Sequence, residues 1–258
     1  PSIRLHVEDT GGTGRPVILI HGWPLSAEAW KAQVPILRDA GYRVISYDRR
    51  GFGRSEKPSS GYDYDTLAAD LAAVIEERDL KGVTLVGFSM GGGEVARYVA
   101  NHGQERLRSV VFAAAVPPYL AHTADNPDGP LTQEAADGME NGLKADEETF
   151  YDGFVTDFFS VDGELKVTEA QRQDALALAK QASHHAALAA MAAFGTTDFR
   201  ADVAGTTVPT PVLPGHSAAL VPFAAPAARP PPAHPTGRAA VPARPPLGPD
   251  DLSGARPR

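Results

Sequence analysis

Gly87-Phe88-Ser89-Met90-Gly91 is the segment of this chain best suited to chemistry. It follows an apolar run, Val83 to Val86, and opens a helical pattern from Ser89 to Ala100. A serine in a G-x-S-x-G turn between strand and helix sits on a strained bend with its hydroxyl exposed. The helix N-terminus behind it favours a developing negative charge. Glycine at 87 and 91 lets two backbones come close, and Gly92 relieves the next contact. Ser89 is therefore the candidate nucleophile. An oxyanion formed on its substrate needs two donors. The N–H of Met90, directly after the nucleophile, is one. The backbone N–H of Trp23 is assigned as the other, because His21-Gly22-Trp23-Pro24 occupies the loop after an earlier strand. His21, at that strand's end, reads as a structural histidine rather than the general base.

Other constellations carry less. Gly51-Phe52-Gly53-Arg54-Ser55 lacks the third glycine of a dinucleotide fingerprint and suits a structural turn. Gly91-Gly92-Gly93 has no phosphate-binding lysine after it, so nucleotide binding is not expected. His184 and His185 are adjacent on an expected helix, about 100° apart around its axis, and make a poor chelate; no metal site is expected. Asp146-Glu147-Glu148 reads as a solvated face. Trp23, Phe88 and Phe158 are candidates to line an apolar acyl pocket, with a plain core role for Phe158 equally open.

The elements that position these residues alternate strand and helix. Ser2 to Val7 reads as an edge strand, Pro16 to Ile20 as a buried strand, and 27–39 as a helix with Trp30, Val34, Ile36 and Leu37 inward. Tyr42 to Tyr47 is the next strand. Asp65 is expected to cap a helix burying Leu67, Leu71, Val74 and Ile75. Leu107 to Ala114 gives a further strand. Repeated β-α-β units predict an α/β fold with a mostly parallel sheet and helices on both faces. Residues 120–192 break the rhythm and read as a helical cap, with a capping box at Thr168-Glu169-Ala170-Gln171 before a helix reaching toward Met191. The expected division is a core of 1–119 and 193–258 with a cap of 120–192, and a strand is expected at Val208 to Leu213.

Composition narrows the field. The 258 residues carry 24 Lys plus Arg against 32 Asp plus Glu, a net charge of −8, which argues against nucleic acid or an anionic membrane as partner. Cysteine is absent, excluding disulfides, thiolate metal sites and cysteine nucleophiles. No apolar run is long enough for a membrane helix and no signal peptide is visible, so a cytoplasmic location is expected. Beyond residue 210 the character changes: residues 211–258 hold 13 Pro and 11 Ala in 48 positions. Such a stretch does not form regular ladders or long helices.

The motifs resemble the α/β-hydrolase superfamily, and within it the cofactor-free (non-haem) haloperoxidases, also called perhydrolases or arylesterases. The resemblance rests on His21-Gly22-Trp23-Pro24-Leu25, on Ser46-Tyr47-Asp48-Arg49-Arg50-Gly51-Phe52-Gly53-Arg54-Ser55 and on Gly61-Tyr62-Asp63-Tyr64-Asp65. It continues in the elbow through Tyr98, in Asp125-Asn126-Pro127-Asp128-Gly129 and in Thr197-Asp198-Phe199-Arg200. It covers roughly residues 1–210. It implies an α/β-hydrolase fold and a serine-dependent esterase of small or aryl esters, with no cofactor. It further implies that hydrogen peroxide as well as water intercepts the acyl-enzyme, and that the resulting peracid oxidises a halide. Assembly as a homo-oligomer is left open.

The tail departs from that pattern. Where the family has its triad aspartate this chain has Ala218, and where it has its histidine this chain has Leu247. Pro211 falls inside a strand that should be central. His216 and His234 are weak substitutes for the base, with no evident acid partner. Two readings follow. In one, residues 211–258 are altered, as by a shifted reading frame, since both triad positions, a strand and the closing helix degrade together while residues 1–210 keep every other feature. In the other, the chain is a catalytically inactive, hydrolase-like binding protein.

Overall fold

The computed structural model describes residues 3–214, so Ala218, Leu247, His216 and His234 lie outside the described residues. A six-stranded sheet forms the centre, in the order β1-β3-β2-β4-β5-β8. Its strands are β1 (Val7–Asp9), β2 (Pro16–Ile20), β3 (Arg43–Tyr47), β4 (Val83–Phe88), β5 (Leu107–Ala113) and β8 (Val212–Leu213). Only β1 runs antiparallel to its neighbour, pairing Val7 with Tyr47; the other pairings are parallel. Parallel strands need crossovers, and helices supply them: α1 (Gln33–Asp39), α2 (Tyr64–Glu77) and α3 (Met90–His102).

Both faces of the sheet are covered, as apolar runs without polar alternation require. Ile18 and Ile20 of β2 join the large core with Leu67, Leu71 and Val95 from α2 and α3. Val17 and Leu19, on the opposite face, join Val44 under Trp30, Val34 and Leu37.

The expected helix over 27–39 is two pieces, a short 3-10 turn at Ala27–Trp30 and α1. Pro35 explains the break. Its ring excludes the carbonyl of residue 31 from a continuous helix but is tolerated in a first turn. Ile36 is exposed, because Trp30, Val34 and Leu37 form the inward stripe and Ile36 is off it. Asp63, not Asp65, caps α2, accepting from the Thr66 N–H at 2.9 Å. Asp65 instead binds Arg97 and Asn101 of α3, at 2.6 and 3.0 Å.

Four helices stand between β5 and the return to the sheet: α4 (Gln133–Ala145), α5 (Glu147–Phe158), α6 (Glu169–Ala179) and α7 (His184–Thr196). A two-stranded hairpin, β6 (Ser160–Val161) with β7 (Glu164–Leu165), joins α5 to α6. The capping box at Thr168 and Gln171 forms as expected. The helix behind it stops at Ala179 rather than Met191, because Ser183 starts a new one by accepting from Ala186 N–H at 3.0 Å. A short α8 (Arg200–Ala204) leads back to the sheet.

The expected strand Val208–Leu213 is reduced to β8. Pro209 and Pro211 still offer their carbonyls to Val110 and Phe112 of β5, at 3.0 and 3.1 Å. With Val212 opposite Phe112, the register puts the Pro211 nitrogen where an N–H would donate to the Val110 carbonyl. Proline has no such proton, so the ladder shortens to two residues.

Candidate active site

Ser89 joins β4 to α3 with φ 51 and ψ −118, a left-handed backbone that a non-glycine residue holds only when its surroundings force it. The forces are on both sides. Its N–H donates to the Ala113 carbonyl at the end of β5, at 3.1 Å, and its carbonyl accepts from Gly92 and Val116, each at 3.0 Å. A Cβ on Gly87 would stand 2.6 Å from the Gly91 oxygen, and one on Gly91 would stand 2.6 Å from the Ile20 oxygen. These are backbone contacts that no side-chain rotation relieves. The bend therefore packs directly on the end of β2.

Met90 is the first residue of α3, where backbone N–H groups have no intrahelical partner. Gly22 lies against the elbow, since a Cβ there would come within 3.1 Å of the Ser89 Cβ and 2.9 Å of the Phe88 ring. Trp23 follows it. Ser89, Met90 and the 22–23 turn, far apart in sequence, are thus brought to one place.

His21 is fully buried and both ring nitrogens are engaged. Its Nε2 accepts from the Arg49 N–H at 2.9 Å, so the proton sits on Nδ1, which donates to the Gly22 carbonyl at 2.9 Å. Burial, and then the Arg49 charge, hold its pKa well below the ordinary 6.5. A neutral imidazole so occupied is scaffold.

The 51–55 segment is a structural turn. Asp48 accepts from the Ala27 and Arg54 N–H groups, both at 2.8 Å, and a Cβ on Gly53 would come within 2.4 Å of its carboxylate. His184 pairs with Glu147 at 2.9 Å, and the His185 ring meets Tyr62 edge-on at 5.8 Å. Among the described residues no group of His, Asp and Glu is placed to hold a metal ion. The acidic run 146–148 is largely exposed and ties helices together. Asp146 caps α5, Glu147 takes His184, and Glu148 takes Lys180 at 2.6 Å.

An aromatic wall stands over the site. Phe150, Phe154 and Phe158 are four residues apart along α5, so they share one face. Trp23 meets Phe154 edge-on at 5.0 Å and Phe194 of α7 at 5.9 Å. Phe88 meets Phe158 at 6.0 Å. The Trp23 indole N–H donates to the Ala187 carbonyl of α7 at 3.0 Å, joining the nucleophile's neighbourhood to that helix. Sequence reasoning named Trp23, Phe88 and Phe158 but missed Phe150 and Phe154, although their spacing was the available signal.

A second feature was missed. Glu94 of α3 is fully buried and binds the Arg49 guanidinium and the Tyr47 hydroxyl. Burial pushes its carboxyl up, while Arg49 and the Tyr47 hydroxyl pull it back. The signal was a charged residue at i+4 from Met90 and i−4 from Tyr98, on the inward face of α3.

Comparison with known proteins agrees with this geometry. Residues 15–207 match the model of the α/β hydrolase fold family. The chain is 42% identical over 213 residues to a non-heme chloroperoxidase of Kitasatospora aureofaciens, covering 82% of this chain and 77% of that protein. It is 37% identical over 229 residues to a bifunctional esterase/perhydrolase of Acinetobacter calcoaceticus, covering 86% and 81%. A crystal structure of a bromoperoxidase from Bacillus anthracis superposes with a TM-score of 0.83 at 48% identity, covering 86% of this chain and 80% of that one. With the strand order, the serine elbow and these relatives in agreement, the chain belongs to the α/β-hydrolase fold family, on the branch of the non-heme haloperoxidases.

Proposed function

We propose that the protein is a serine-dependent acyl-transfer enzyme acting on small or aryl esters, with perhydrolase activity. The observation that carries this is the left-handed Ser89 backbone at the β4–α3 junction with Gly22 packed against it. Such a bend exposes the hydroxyl at the start of a helix, where N–H groups face any oxyanion formed nearby. Ser89 Oγ attacks the ester carbonyl, and the tetrahedral oxyanion is held by the Met90 and Trp23 backbone N–H groups. Collapse expels the alcohol or phenol and leaves an acyl group on Ser89. Water then gives a carboxylic acid; hydrogen peroxide gives a peracid and frees the serine. A peracid transfers its terminal OH, as an oxygen with its proton, to bromide or chloride, leaving the carboxylate and a hypohalous acid. No metal, haem or flavin takes part in this sequence. The esterase/perhydrolase and haloperoxidase relatives support the ester and peroxide parts of this reading.

The aromatic face of α5 over Trp23 and Phe88 suits an apolar acyl or aryl group. We place the enzyme's core in 1–119 and 193–258 and its cap in 120–192. No helix among the described residues is long and apolar enough to cross a membrane, and a cytoplasmic enzyme is the location we favour. The base and acid belong to the stretch beyond residue 214. We read that stretch as altered, so that resequencing the 3′ end of the coding DNA returns an acid near position 218 and a histidine near 247.

A fluorophosphonate probe tests the nucleophile, since its phosphorus bonds to Oγ as fluoride leaves. Labelling is expected at Ser89, with Ser89→Ala reducing it by roughly 10³-fold or more. Well-folded protein that resists the probe at every position overturns the reading and favours the inactive binding protein.

A further inference from the structure

Two arginines adjacent in sequence, Arg49 and Arg50, each enter a buried ion pair. Arg50 meets Asp70 of α2 through two parallel bonds, at 2.6 and 2.8 Å. Arg49 meets Glu94 of α3 and uses the rest of its fork differently. Its Nη2 donates to the His21 carbonyl at 2.6 Å, and its backbone N–H donates to His21 Nε2 at 2.9 Å. Its side chain and that of Glu94 are each 1% exposed.

The His21 carbonyl lies at the seam of the candidate site. It follows the last residue of β2, precedes the Gly22–Trp23 turn, and stands 3.0 Å from where a Cβ on Gly91 would be. Glu94 lies one helical turn after Met90 on the same face of α3. One end of the Glu94–Arg49 link is therefore fixed to the helix that presents the Met90 N–H. The other end is fixed to the turn that presents the Trp23 N–H. A second tether acts on the helix side, since the Tyr64 hydroxyl of α2 donates to the Met90 carbonyl at 3.0 Å.

We propose that Glu94 and Arg49 are positioning residues that set the spacing between the Trp23 and Met90 backbone N–H groups. The inference rests on the reading of those two groups as oxyanion donors. A buried ion pair gives little net stability over an apolar replacement of the same shape, because desolvation offsets the attraction. Its value here is geometric: a planar guanidinium with several donors fixes two partners in direction as well as distance. Oxyanion donors need that fixity, because donors displaced by an ångström stabilise the transition state far less.

The Arg50–Asp70 pair supplies the control. It too is buried, and its two bonds tie the 49–50 segment to α2 rather than to the 21–23 turn. Phosphonylation by the same probe at saturating and sub-saturating concentrations separates its binding from the chemical step. Glu94→Gln is expected to lower the maximal labelling rate at Ser89 roughly 10- to 100-fold with half-saturation unchanged. Asp70→Asn is expected to lower the melting temperature and leave that rate within about twofold, well below its melting point. Amide hydrogen exchange adds a readout that needs no activity: residues 21–25 should exchange faster in Glu94→Gln and unchanged in Asp70→Asn. Should Glu94→Gln fail to fold, Arg49→Lys carries the same test, keeping the charge and losing the fork. A labelled wild type with equally fast Glu94→Gln, or Asp70→Asn slowing as much as Glu94→Gln, overturns the inference alone. An unlabelled wild type overturns the catalytic reading first, and this inference with it.

Discussion

The elbow and the proposed cap are held by opposite means. At the elbow, backbone touches backbone, Gly87 on Gly91 and Gly91 on Ile20, and Gly22 packs on the Phe88 ring and the Ser89 Cβ. Buried polar groups, Arg49, Glu94, His21 and Tyr47, fill the space behind it. In the proposed cap, α5 and α7 contribute aromatic and alanine side chains to the core, and ions pair at the surface, as Lys31 does with Asp174 and Lys180 with Glu148. Directional bonds and backbone contacts admit one arrangement, whereas apolar packing admits several of nearly equal energy. The region built for one arrangement carries the candidate nucleophile. The region held mainly by apolar packing covers the candidate acyl pocket.

Four measurements strain this contrast, beginning with the largest effect. Gly91→Ala places a methyl 2.6 Å from the Ile20 carbonyl oxygen, so it should cost about 3 kcal/mol of stability by denaturant unfolding. A cost under about 1 kcal/mol would show that the elbow yields after all. Next is pH. The His21 imidazole is held neutral below its ordinary 6.5, first by burial and then by Arg49. Unfolded chain therefore takes up a proton near 6.5 that folded chain refuses. Stability should fall as pH drops below about 6.5, by up to about 1.4 kcal/mol per unit from this one group. His21→Gln should flatten that slope; a wild-type melting temperature constant between about pH 7 and 5 contradicts it.

The same glycine-to-alanine change in the cap should have the opposite sign. Gly153 of α5 is solvent-exposed, and nothing lies within 4 Å of where its Cβ would stand. Gly153→Ala should stabilise by about 0.5–1 kcal/mol, through helix propensity and a stiffer unfolded chain. Destabilisation would mean that the cap is as tightly determined as the elbow. The smallest effect belongs to Lys31→Ala. Its 2.9 Å pair with Asp174 joins the core to α6, but both side chains are 64% exposed. Loss should change stability by no more than about 0.5 kcal/mol. A larger loss would make surface charge, not aromatic packing, the cap's anchor.

Much of this was legible without coordinates. Short apolar, β-branched stretches marked β2, β4 and β5 to within a residue or two, most plainly β2, because a strand buried on both faces leaves no polar alternation. The elbow was legible because glycine spacing, strand and helix coincide within a few residues. Local chemistry also misled. Asp65 and Asp63 are both acceptable caps, and only the turn at 61–63 puts Asp63 at the boundary. A run of Ala and Leu from 169 to 191 reads as one helix, yet Ser183 restarts it when its N–H reaches the Gly51 carbonyl at 2.9 Å. Pro211 was rightly suspect in a central strand, and β8 is short where its missing proton falls.

The order of elements, the strained serine and the apolar spacing of α5 are properties of neighbours along the chain, and the sequence determined them. The joining of Trp23 to Ala187, 164 residues apart, and of Arg49 to both Glu94 and His21, were decided only by the fold. Local propensity acts over a helical turn or a strand pair. A buried hydrogen bond between distant residues exists only after the sheet has closed and water has left, because until then every such group is satisfied by solvent.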